Sequence, residues 1–313
     1  MDLFKSKYSS MPDNSYFDKR MANGDKLSDI FDSLDFRYGC YSEDKARPIT
    51  VRVGKLYNYV ANNYILFDNW FVFCDDFDDF DKCSYAYRRF NMNGIREGGV
   101  IIRRDGSYVT REEFLDIKFE HEAQSQYAIV KQYDGLLNIV DVNKGSKLET
   151  KGIKADYIDY GYSGLFPIVI GELSRDEKEL LWSSEGVGIA NEKHLKFNFY
   201  NVRTGILSPS LWFDYVDRFK GVLNNYHMHT HNHTIVCVNG KKNFINQNGQ
   251  LLSERWFDVA RIYYDGTGEA GILKSKNLES LPDEIGENYD YNPSKFVIFD
   301  IDKYGRIKES HIE

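Results

Sequence analysis

With 313 residues, 42% of them hydrophobic and 15% aromatic against only 6 prolines, the chain has material for a sizeable core. Its richness in Tyr and Phe favours strands, where rings pack across a pleated surface. A formal net charge of −8 and a pI near 5.5 exclude a general phosphate-backbone binder, which needs clustered Lys and Arg to displace counterions.

Residues 1–45 read as an N-terminal cap or arm. Met1 to Met21 alternates Asp, Lys and Ser with single aromatics and has no apolar h-region, and no later stretch approaches a membrane span of about 18 residues, so neither standard export nor membrane insertion is expected. Asp25 to Phe36 is the place for a short helix capping the open end of the downstream residues. Cys40, Cys74, Cys83 and Cys237 are scattered with no C-x-x-C, so thiols in a reducing, cytoplasmic setting are expected rather than a disulfide framework.

Residues 46–313 carry a repeat. The phrases Trp212-Phe213-Asp214-Tyr215-Val216 and Trp256-Phe257-Asp258-Val259-Ala260 stand 44 residues apart, as do Trp70 and Phe114. Self-similarity at such a period marks arrays whose units bury their apolar faces on one another. The spacing assigns Trp70, Trp212 and Trp256 to equivalent buried positions, with Phe114 in the same slot.

Within the unit, turns recur at Asp105-Gly106, Lys144-Gly145, Thr204-Gly205, Asn248-Gly249 and Tyr304-Gly305, and Asn63 fills the slot in the first copy. Glycine, or failing it asparagine, enters the left-handed region that such turns require. Tyr127–Val130 and Asn138–Asp141 flank Asp134-Gly135 as Thr234–Val238 and Lys241–Asn246 flank Asn239-Gly240, which predicts hairpins with type I′ turns.

Five full units and a truncated sixth are counted. The expected fold is an all-β array of about five to six β-hairpin repeats of about 44 residues, open and solenoid-like or alternatively propeller-like. Two insertions break it at hairpin turns: 172–194, whose Ser174-x-x-Glu177 capping box precedes Leu180-Leu181-Trp182 and allows one short helix, and the polar stretch 274–294.

The block Gly240-Lys241-Lys242-Asn243-Phe244-Ile245-Asn246-Gln247-Asn248-Gly249 resembles the bacterial WG (KWG) repeat, a Gly-Lys-Trp-Gly-Phe-Ile-Asp hairpin followed by a glycine turn. Here Lys242 and Asn243 stand where that family has Trp and Gly, and the tryptophan moves downstream into the Trp-Phe-Asp phrase. Such repeats occur in many bacterial proteins, Bacteroidota and their large phages among them. The resemblance implies a β-repeat scaffold and names no substrate or cofactor.

Two clusters invite chemistry. His227, His229, His231 and His233 would share one face of an extended strand, with neighbouring rings about 7 Å apart, within reach of Zn²⁺, Ni²⁺ or Cu²⁺. No Asp, Glu or Cys stands beside them in sequence, which favours a polar edge carrying neutral imidazoles. Asp75, Asp76, Asp78, Asp79 and Asp81 surround Phe77 and Phe80 without the internal glycine a calcium loop needs, and read as the solvated exit of a repeat.

No G-x-S-x-G, Walker, Rossmann or H-E-x-x-H motif occurs. Asp214 and Asp258 recur with the repeat, so their expected task is to bond turn N–H groups. The function expected is a non-enzymatic module for protein binding or assembly, with no cofactor and the insertions as contact surfaces. The alternatives are a structural component of a phage virion or other large particle, and a carbohydrate-binding or hydrolytic β-repeat protein. A protein partner is expected, nucleic acid and membrane are not, and oligomer formation is left open.

Overall fold

The computed structural model describes residues 7–35, 48–75, 77, 83–119, 126–149, 151–158, 164–171, 195–207, 210–216, 221–224, 227–230, 232–263, 265–274 and 295–309. Both insertions, apart from Lys274, and most of the acidic run lie outside them.

The chain forms two compact units, Met1–Lys154 and Ala155–Glu313. In the first unit, α1 (Asn14–Ala22) and the single turn α2 (Leu27–Ile30) precede three sheets. The first sheet holds β1 (Ser33–Asp35), β2 (Ile49–Val53), β3 (Leu56–Ala61) and β4 (Tyr64–Ile65). The second holds β5 (Phe73–Cys74), β6 (Cys83–Phe90) and β7 (Arg96–Arg103), completed by a single bridge from Ile102 to Tyr108. The third holds β8 (Asp116–Phe119), β9 (Tyr127–Lys131), β10 (Leu137–Asp141) and β11 (Ser146–Lys147).

The second unit continues the series. Its first sheet, the fourth of the chain, holds β12 (Tyr157–Ile158), β13 (Leu165–Ile170), β14 (Lys196–Asn201) and β15 (Ile206–Leu207). The fifth holds β16 (Tyr215–Val216), β19 (His233–Val238) and β20 (Lys241–Asn246); a separate hairpin of β17 (Gly221–Asn224) and β18 (His227–Thr230) lies between β16 and β19 in sequence. The sixth holds β21 (Val259–Ile262), β22 (Gly268–Leu273), β23 (Phe296–Ile301) and β24 (Ile307–Glu309). All described pairings are antiparallel, and apart from β16 with β19 they join successive strands, so the described residues form an all-β array of six small sheets of three or four strands beside the β17–β18 hairpin.

Neighbouring sheets within a unit bury their apolar faces on each other, as period-2 alternation requires. Tyr59 and Phe71 of the first sheet meet Ala86, Val100 and Ile102 of the second, whose opposite face brings Ile101 and Phe114 against Ala128, Val130 and Val140 of the third. In the second unit Phe197, Phe199 and Phe213 meet Val236 and Ile245, and Ile235, Phe244 and Phe257 meet Ala270, Phe299 and Ile301.

The N-terminal residues pack into the first unit. Phe17, Met21, Ile30 and Phe31 cover Val51, Val53 and Val60 of the first sheet. Asp13 caps α1 by accepting from Tyr16 N at 3.0 Å, a favoured N-cap arrangement. The helix expected at Asp25–Phe36 is corrected to one turn followed by β1, and the longer helix lies upstream at Asn14–Ala22.

The turns divide by chemistry. Asn239 and Gly240 both have positive φ, 51° and 74°, and join β19 to β20 as the two-residue type I′ turn that Asn-Gly favours. Asp134-Gly135 differs: only Gly135 is left-handed, at 85°, and Gly135 N donates to Gln132 O while Gln132 N donates to Leu136 O. That is a three-residue type I turn with a glycine bulge, because Tyr133, Asp134 and Gly135 together fill the loop and only its last position needs positive φ. Gly106, Gly145, Gly205, Gly249 and Gly305 all lie between 67° and 83°, and Asn63 at 63°.

Candidate functional site

The Trp-Phe-Asp phrase is the junction between sheets. Phe71, Phe114, Ile153, Phe213 and Phe257 each make an isolated bridge back to the third strand of their own sheet, at Tyr57, Gly99, Leu137, Phe197 and Lys242. The next residue, Val72, Leu115, Asp214 or Asp258, or Asp156 three residues after Ile153, donates its N–H to the second strand of the following sheet.

This register corrects the slot read from the tryptophans. Phe114 is equivalent to Phe71, Phe213 and Phe257, so Glu113 occupies the tryptophan position. Phe71, Phe114, Phe213 and Phe257 are at most 1% exposed, whereas Trp70, Trp212 and Trp256 are only partly buried. Adjacent residues of an extended chain point in opposite directions, and the phenylalanine takes the inward one. Trp70 instead packs against Phe17 and donates from Nε1 to Asn14 Oδ1 at 2.9 Å. In the same slot Glu113 accepts from Arg88 and Arg89, each at 2.8 Å.

One position after the bridged residue, the third strand carries Asn58, Asn138, Asn198 and Asn243, all 0% exposed. In each the amide oxygen accepts the next backbone N–H, as from Phe244 to Asn243 at 2.8 Å. The amide nitrogen of Asn58 donates to Phe67 O at 2.8 Å, and that of Asn243 to Ser253 O at 2.8 Å and Arg255 O at 3.2 Å. Asn138 reaches Glu149 O in the same way. A buried amide thus pins the loop that leads to the bridging residue.

The recurring aspartates form a second device. Asp156, Asp214 and Asp258 accept from Gly171 N at 2.8 Å, Asn239 N at 2.6 Å and Leu273 N at 2.9 Å, each at the far end of the next sheet's second strand. Lys196 and Lys241, each one residue before the bridged position, pair with Asp214 and Asp258. Burial works against ionisation of Asp214, but Lys196 and the Asn239 N–H outweigh it and hold its carboxyl below the ordinary range. Each Lys–Asp pair ties the third strand of one sheet to the second strand of the next.

The histidine run is not one strand. His227 and His229 lie on β18, opposite Asn224 and Val222 of β17. His231 lies outside the described residues. His233 begins β19 in another sheet, 1% exposed, with its ring 5.9 Å from that of Phe244. The single face of four imidazoles is therefore corrected: the chain leaves one hairpin after Thr230 and enters the fifth sheet at His233.

Among the described residues no group of three or more His, Cys, Asp or Glu is placed to hold a metal ion, and no helix is long and apolar enough to cross a membrane. Of the acidic run, Asp75 and Phe77 are described. Phe77 is 3% exposed and packs edge-on to Tyr59, while Asp75 O accepts from Ser84 Oγ at 2.8 Å.

Both insertions fall at the same point of their sheets. Residues 172–194 separate β13 from β14, paired through Ile170↔Lys196, and 275–294 separate β22 from β23, paired through Leu273↔Phe296. Each thus connects the second strand of its sheet to the third.

No known protein family matches the chain, and no curated protein matches it. Among solved structures, the chain is similar to a eukaryotic initiation factor at 10% identity and a TM-score of 0.32, covering 90% of each chain. It is also similar to Hsv2 of Kluyveromyces lactis at 13% identity and 0.30, covering 73% of this chain and 68% of that one. A third is the C-terminal WD40 domain of Sif2, at 10% and 0.24, covering 73% and 76%. Similarities this remote add nothing to the fold read from the sheets.

Proposed function

We propose that the protein is a non-enzymatic β-repeat module that binds a protein partner through the connections between second and third strands. The observation that carries this reading is where the polar side chains are used. The recurring Asn and Asp bond backbone groups inside the array, and two departures from the repeat, 172–194 and 275–294, fall between second and third strands, while the β17–β18 hairpin lies between first and second strands. Loops on a rigid scaffold are where recognition concentrates.

Kinship with WG-type repeats belongs to the same proposal. Gly240–Asn246 supplies half of the type I′ turn and all of β20. A reducing, cytoplasmic setting suits the buried thiols of Cys74, Cys83 and Cys237, which lie within strands.

The test is reconstitution. Partners captured from the native host by full-length protein are purified and remixed with it, and complex mass is measured by light scattering. A stoichiometric complex that is lost when 172–194 and 275–294 are replaced by short turns supports the reading. A complex formed equally well by the trimmed chain overturns the role of the insertions, and turnover of a substrate by the purified protein overturns the non-enzymatic reading.

A further inference from the structure

A third long connection between second and third strands is fully described, in the second sheet. β6 and β7 are eight residues each. Their hairpin runs past Tyr87↔Gly99, whose Gly99 matches in register the residues that follow the turns of the first, third and fifth sheets, through Arg89↔Glu97 and Phe90↔Arg96 to a tip at Asn91–Ile95. The tip is preformed: Gly94 N donates to Asn91 O at 3.0 Å, Asn91 N to Ile95 O at 2.8 Å, and Asn91 Oδ1 accepts from Asn93 N and Ile95 N.

What the tip presents is apolar. Phe90 is 52% exposed, Met92 104% and Ile95 59%. The turn of the third sheet adds Tyr133, 48% exposed, whose hydroxyl accepts from Arg89 Nη2 and Gly98 N at 3.1 Å each and so holds its ring beside the hairpin. Four of the eleven large apolar side chains exposed among the described residues belong to this hairpin and the adjoining turn. Such a cluster, with aromatic, Met and Arg side chains together, has the make-up of an interface core.

The surrounding charge selects the occupant. At the tip end of the hairpin stand Arg88, Arg89 and Arg96 against Glu97 and Glu113, in a chain whose net charge is −8. Around the tip, Arg88 and Arg89 share Glu113, and Arg89 also faces Glu97 at 3.6 Å. Arg96 is exposed, lies 3.5 Å over the Phe73 ring, and among the described residues has no carboxylate partner. The tip is therefore an apolar surface with a surplus cation at its base. A second copy docking tip to tip would set Arg96 against Arg96, and a nucleic acid would leave Met92 and Ile95 uncovered.

We propose that the β6–β7 tip is a docking anchor for an acidic, apolar segment of a partner protein, in which Leu, Phe or Trp covers Phe90, Met92 and Ile95 while flanking Asp or Glu reaches Arg96. The inference rests on the binding-module reading and names the chemistry of the partner.

A displayed random-peptide library selected on the immobilised full-length protein tests it. Enriched peptides should place aromatic or Leu residues beside Asp or Glu. A synthetic copy should bind about tenfold or more weakly to Met92→Asp and to Arg96→Glu, and more weakly to wild type as salt rises. Both sites are exposed, so the variants should keep the parent's near-ultraviolet dichroism; Met92→Leu, which should retain binding, separates lost contact from lost fold. Peptides that bind both charge variants as well as wild type, or that are enriched in Lys and Arg, overturn the anchor while leaving the module reading intact. Self-association that Met92→Asp abolishes assigns the tip to a second copy instead. A selection yielding no peptide overturns the anchor and leaves the module reading to the trimming of the insertions.

Discussion

Asn243 and its counterparts carry more structural weight than any charged residue of the repeat. All four sit at zero exposure on a third strand, and Asn58, Asn138 and Asn243 bond backbone groups of the loop that follows. A buried donor or acceptor left without a partner costs about 1 to 3 kcal/mol, and Asn243→Ala strands the carbonyls of Ser253 and Arg255 together. The expected loss is about 2 to 4 kcal/mol in urea unfolding, with amide exchange rising between Ser253 and Phe257. The adjacent junction gives a sharper contrast. Phe213→Ala empties a wholly buried ring position and should cost about 3 to 5 kcal/mol, whereas Trp212→Ala, at a partly exposed site, should cost clearly less. Equal losses for the two would restore tryptophan to the core position.

At the scale of the elements, each Lys–Asp pair and its backbone N–H tie neighbouring sheets, and this tie depends on pH. Because the Asp214 carboxyl is held below its ordinary range in the folded state, its contribution is fully present above the unfolded carboxylate value of about 4 and is lost as pH falls through the lowered folded value. Asp214→Asn, which keeps an acceptor but no charge, should therefore be less stable than wild type by a constant amount above pH 5, and the gap should close on acidification. A gap that widened below pH 4 would mean that the carboxyl is not stabilised by Lys196 and Asn239.

The elements also show which parts of the fold the sequence displayed. The hairpin at Asn239-Gly240, the left-handed glycines and the backbone role of Asp214 and Asp258 were legible, because turn chemistry is local. The junction register was not. Tryptophan is the most conspicuous letter of the phrase, yet a rare residue can mark a period without holding its fully buried position: Trp70 and Trp256 only flank the core. The buried positions Phe71, Phe114, Ile153, Phe213 and Phe257 are 43, 39, 60 and 44 residues apart, the long interval absorbing the insertion at 172–194. Aligning on the Asn-apolar-apolar steps at Asn58, Asn138, Asn198 and Asn243 finds the phase. The division of the histidine run depends on where β18 ends and β19 begins, which period-2 spacing alone does not encode.

At the scale of the whole molecule, neighbouring sheets within each unit are held by devices internal to their junctions, which frees the connections between second and third strands for recognition. This separation makes a prediction about stability as well as binding. Ile170 pairs with Lys196 across the ends of the first insertion, so β13 and β14 are already in register where 172–194 departs. A closing loop costs about 0.6 kcal/mol for each doubling of its length. Replacing 172–194 with Asn-Gly should therefore leave the chain as stable as the parent or more stable by up to roughly 2 kcal/mol, with an unchanged far-ultraviolet β spectrum. If the insertions carry recognition, the same variant should lose partner capture while keeping its fold. A loss of several kcal/mol on trimming would instead make the segment part of the core of the second unit, and the contact surface would have to be sought at the remaining turns.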